Sequence, residues 1–142
     1  MWADTLQAAE RAHLLRLLVW AAASVLAGTG LLAFLRARSL GSELLAHFAM
    51  QSAAWGTAIA LFAGSQLRVI APRDVGGATR LDRMLWFYIG LDVGAVAVGV
   101  VLVAVGWRVS RRMKLVGAGM GVIVQGCALT LLDLILAGQI SR

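Results

Sequence analysis

Asp92 and Asp133 are carboxylates set inside runs that are otherwise apolar. Asp92 lies within FYIGLDVGAVAVGVVLVAVG, residues 87–106, and Asp133 within LTLLDLILAG, residues 129–138. A charged Asp at the centre of a membrane helix costs about 2.5–3.5 kcal/mol, so such a residue turns inward and is either partnered or protonated. Two chemistries follow for Asp92. It is a hydrogen-bonded clasp to a Thr, Gln, Tyr or indole on a neighbouring helix, or it is a titrating site for a proton or cation. With no Lys or Arg inside the apolar segments 17–35, 44–64, 84–106 and 115–137 and no repeated acidic ladder, the clasp is the favoured expectation. Counting 1.5 Å per residue from the helix ends puts Asp92 about 12 Å and Asp133 about 8 Å from the same membrane face. Gly126, Thr130 and Asp133 share a face, with Gln125 beside them, so the two acids can meet at one water pocket.

A second polar stripe runs through His47, Gln51 and Trp55, spaced i, i+4 and i+8, with Ser52 alongside. Metal or haem ligation by His47 needs a second ligand at its depth, and the other histidine, His13, is expected ahead of the first span on the opposite face. A hydrogen-bonded interfacial histidine is the simpler reading, and no metal or cofactor is expected. Cys127 falls in mid-run and reads as a small packing residue. No Ser-His-Asp or Cys-His set falls at one depth, and no HExxH, Walker or GxGxxG element is present, so the chain is not expected to be an enzyme.

What must position these side chains is a set of membrane helices. Hydrophobic residues make up 61% of the 142 and charged ones 14%, and the mean hydropathy is +0.85, far from the balance of a soluble domain. Four long apolar runs predict helices over 14–35, 44–66, 82–106 and 114–138, each able to cross a hydrocarbon core of about 30 Å. They lack the alternation of barrel strands. The first run is too long for a signal peptide and is expected to be retained. The expected fold is all-α: one four-helix integral membrane bundle over 1–142, with antiparallel neighbours and both termini on one side, side A. The link at 66–83 is expected on side A too, with Thr79 and Asp82 opening the third helix. Lys and Arg divide seven to six between the two sides when Arg142 is counted on side A, which leaves orientation undecided. The net charge of +6 resides in termini and links, without a basic face interleaved with aromatics, so nucleic acid is not an expected partner.

Small residues four apart mark close helix packing: Ser24 and Gly28, Gly90 and Gly94, Gly117 and Gly121, with Gly126 following. Most simply they pack inside the bundle; alternatively a seam of them docks a partner helix. Trp86, Tyr88 and Trp107 read as interfacial aromatics bracketing the third helix.

The run GLDVG at 90–94, QG at 125–126 and LLD at 131–133 together resemble a bacterial family of small four-helix membrane proteins of unknown function. The resemblance implies a fold, not an activity; the expected location is a bacterial inner membrane. The leading functional expectation is a non-catalytic accessory, assembly or stabilising subunit of a larger membrane complex, surrounded by lipid and docked to other subunits or to copies of itself. The alternative is a homo-oligomeric proton- or cation-linked channel or transporter using Asp92 and Asp133.

Overall fold

The computed structural model describes residues 2–140; Arg142 lies outside them. The described residues form four α-helices and no strand: α1 (Trp2–Ala37), α2 (Glu43–Val69), α3 (Val75–Ala104), and α4 (Met113–Ile140), with a π-helical turn over Val105–Val109 closing α3. All four are long and apolar enough to cross a membrane, consistent with an integral membrane protein.

α1 begins well before its apolar run. Residues 2–13 are polar, yet Leu6, Glu10, His13, Leu14, Leu17, Ala21, Ser24 and Gly28 are all buried at helical spacing. The polar leader is thus the same amphipathic face continued, built from good helix formers such as Ala, Leu, Gln and Glu. α3 also starts early. The Asp74 side chain accepts from the Gly77 N–H at 2.7 Å, an N-cap that satisfies an orphan donor of the first turn. The expected start at Thr79 and Asp82 is therefore corrected, and the link between α2 and α3 shrinks to residues 70–74 around Pro72.

At the opposite end, α1 stops in a Schellman turn. Leu40 N–H donates to Leu35 O at 2.9 Å and Ser39 N–H to Arg36 O at 3.1 Å, with Ser39 at φ 50 in the left-handed region usually given to glycine. The α3–α4 hairpin closes through the π turn, where a Cβ on Gly106 would stand 2.9 Å from both Leu115 Cβ and Val116 N.

Pairing is set by small residues. Gly28 faces Ala49 and Ala53 while Gly56 faces Ala21 and Ser24, so α1 and α2 run antiparallel. Gly99 faces Gly119 and Gly126 faces Asp92 and Val96, so α3 and α4 do too. Gly117 lies on the Leu44 carbonyl and Gly121 on Gln51, which sets α2 parallel to α4. Gly90 and Gly94 depart from the expected packing role: a Cβ on either would meet nothing within 4 Å. Cys127 is exposed, not packed inside.

α4 is the centre of the bundle. Among the described residues, Cα atoms of α3 come within 8 Å of α4 but of neither α1 nor α2. The buried apolar residues accordingly split into two clusters. Leu14, Leu17, Ala21, Ile59 and Ala63 join α1 to α2; Leu85, Ile89, Leu136 and Ala137 join α3 to α4, with Ala9 and Ile140 against them. That last contact places the start of α1 and the end of α4 at one end of the bundle, the terminal end.

Candidate functional site

Two separately packed hairpins leave space between them at the terminal end. A cavity of about 470 Å³ opens there, lined from all four helices and by Arg73 of the 70–74 link. Leu14, Leu17 and Ile59 of one cluster and Leu85 and Leu136 of the other form its apolar walls. Its polar members are Glu10 and His13 from α1, Gln66 from α2, Tyr88 and Asp92 from α3, and Asp133 from α4. Trp55 and Phe62 complete the α2 wall.

Glu10 is buried and held by Arg73 in a two-pronged pair: Arg73 Nε donates to Oε2 at 2.9 Å and an NH2 hydrogen to Oε1 at 2.6 Å. That hydrogen bond holds the Arg73 guanidinium above its ordinary pKa, and the fork geometry explains why an arginine serves here. The pair ties the short link back onto α1 across the cavity.

His13 and Asp133 are both buried, with His13 Nε2 3.2 Å from Asp133 Oδ1, an ion pair when the imidazole is protonated. His13 Nδ1 has no partner, nor does the buried Thr130 Oγ1 one turn before Asp133. Asp92 is half-buried and lines the same cavity as Asp133. No hydrogen bond or ion pair holds its carboxylate among the described residues. The clasp expected at Asp92 is therefore not formed there.

The clasp is made by Gln125 instead. Its side chain is fully buried; its Oε1 accepts from Trp20 Nε1–H at 2.8 Å and its Nε2 donates to Ser24 Oγ at 3.1 Å. Both amide ends are satisfied by α1, which removes the cost of an unpaired polar group in an apolar interior.

The stripe on α2 divides its work. Gln51 packs on Gly121, Ser52 donates to Phe48 O at 3.0 Å, Trp55 enters the cavity, and His47 is half-buried without lining it. Trp86 and Trp107 are exposed, whereas Tyr88 turns to the cavity rim and meets Phe62 edge to face at 5.9 Å. Reading the sequence missed Glu10 and His13. The available signal was the Leu6, Glu10, His13, Leu17 spacing, which continues the buried face of α1.

A family of unknown function (DUF6992) matches residues 16–134. The chain belongs to that family. The matched span includes Asp92, Gln125 and Asp133 and begins after Glu10 and His13. No curated protein and no solved structure matches the chain.

Proposed function

We propose that the protein is a non-catalytic integral membrane protein of a bacterial inner membrane that exchanges protons for a cation through Asp92 and Asp133. The start of α1, the end of α4 and the 70–74 link lie at the end of the bundle to which the cavity belongs. The observation that carries this reading is the cavity's charge inventory. Of its acidic groups Glu10, Asp92 and Asp133, only Glu10 is matched by the fixed cation Arg73. Asp92 and Asp133 are left with His13, whose charge is conditional. Carboxylates in a low-dielectric interior carry protons or bind a cation, and two that share a site do so in competition. The cavity lies within one chain, so binding requires no second copy.

Proteoliposomes loaded with a pH-sensitive dye test this. Under an imposed potential, wild type should move protons faster than empty vesicles; Asp92→Asn should lose that flux while melting like wild type, and Asp133→Asn, which alters the contact with His13, should lose it while still folded. Flux equal to empty vesicles, or unchanged in both variants, overturns the proposal.

A second reading, the accessory subunit, draws on a different observation. The outer face of α3 carries Gly90 and Gly94 open to their surroundings, on the helix that packs against α4 alone. Co-migration with larger unrelated subunits on blue-native electrophoresis of mild-detergent extracts would favour it.

A further inference from the structure

The cavity's walls say more about what enters it than its charge does. Its volume of about 470 Å³ falls in the range of small-molecule sites and is far larger than one ion requires. Among the described residues no three His, Cys, Asp or Glu side chains converge to hold a metal ion. The carboxylates instead line an apolar space that also presents Trp55, Phe62 and Tyr88. Aromatic faces beside two carboxylates that lack a fixed cation suit a cation whose charge is spread over an organic body, since ring quadrupoles attract such a cation and do not require it to keep a hydration shell.

The route in fits the same ligand. α2 and α3 form two walls of the cavity but approach each other nowhere within 8 Å between Cα atoms. Phe62 and Tyr88, both partly exposed, meet edge to face across that gap. Two aromatic side chains, movable by rotamer changes, thus stand between the cavity and the surrounding hydrocarbon. A solute already dissolved in the bilayer can enter there.

We infer that the cavity binds a lipophilic organic cation, with its charge at Asp92 and Asp133 and its body against Trp55, Phe62 and Tyr88, entering between α2 and α3. This rests on the proton-for-cation reading and names its substrate class. The groups that face the bound charge are Glu10 and His13 of α1, Tyr88 and Asp92 of α3, Asp133 of α4 and Arg73 of the link; α2 contributes no titratable group. Added protons compete with a bound cation for the same carboxylate site, so acid weakens cation binding.

Equilibrium dialysis of the purified full-length protein with tetraphenylphosphonium tests the inference, with tetraphenylborate as a probe of the same shape and opposite charge. Saturable tetraphenylphosphonium binding is expected, weaker at pH 5.5 than at pH 8, and reduced by at least about tenfold in Asp92→Asn and in Trp55→Ala. Trp55→Phe, which keeps a ring, should fall between Trp55→Ala and wild type, and thermal melting identifies any variant that fails to fold. Equal binding of tetraphenylborate, or unchanged affinity in Asp92→Asn, overturns the inference. Asp92-dependent proton flux in a protein that does not bind tetraphenylphosphonium also overturns it, while leaving the proton-for-cation reading standing.

Discussion

Asp92, Asp133 and Gln125 are polar residues at comparable risk in an apolar interior, and each is handled differently. Gln125 is paired at both ends of its amide and serves as mortar between α1 and α4. Gln125→Leu should leave Trp20 Nε1 and Ser24 Oγ unpartnered and cost about 1–3 kcal/mol, seen as a lower melting temperature in detergent. Trp20→Phe should cost less, since it frees only one amide acceptor. Asp133 shares its site with His13, and Asp92 stands free in the cavity. Asp92→Asn is therefore expected to leave the melting temperature unchanged, because no hydrogen bond depends on the carboxylate. Glu10 resembles Gln125 in being paired, but its partner sits on a link. Arg73→Ala strands a buried carboxylate; the loss should fall below the ~3–5 kcal/mol of a wholly buried pair because the Arg73 side chain is 33% exposed. Arg73→Lys should recover only part of it, since an ammonium cannot reproduce the two-pronged bond.

Helices meet here through glycine, and the consequences differ between positions that look alike in sequence. Gly117→Leu should destabilise strongly, because its Cβ would run into the Leu44 carbonyl, whereas Gly90→Leu and Gly94→Leu should melt like wild type in the isolated chain. Thermal unfolding of the three variants in one detergent checks this. Ser39→Gly should stabilise by up to about 1 kcal/mol by removing the Cβ from a left-handed cap position. The existence of the helices was legible because hydrophobic runs of that length have few alternatives. Their starts were less so: residues 2–13 are too polar for a hydropathy window, and their burial depends on a partner face that α3 and α4 supply. For the same reason Glu10 and His13 escaped notice, while Asp92 and Asp133 could be placed at similar depth by counting residues. Gly90 and Gly94 have the spacing of a packed pair but point away from α4. Spacing alone reports a possible contact face, not whether a neighbour occupies it.

At the scale of the molecule, the decisive feature is that the α2 and α3 backbones do not meet, their gap being bridged by the Phe62 and Tyr88 rings. α4 holds both hairpins, and because the α2 and α3 backbones never approach closely, the terminal end cannot close into one core. No property of α2 or α3 taken separately announces that gap; it emerges from where α4's glycines draw its neighbours in. The topology is open to a direct check. Single cysteines at Ala3, Ser39, Gly77 and Ser110, in a Cys127→Ala background, should label so that 3 and 77 share one membrane side and 39 and 110 the other. Proton exchange at Asp92 and Asp133 is observed at the carboxyl groups themselves by infrared difference spectroscopy of the reconstituted protein, titrated with pH. A pH-dependent carboxyl C=O band is expected that is lost in part in Asp92→Asn and in part in Asp133→Asn, with both variants folded. A pH-dependent spectrum identical in wild type and both variants would contradict that exchange.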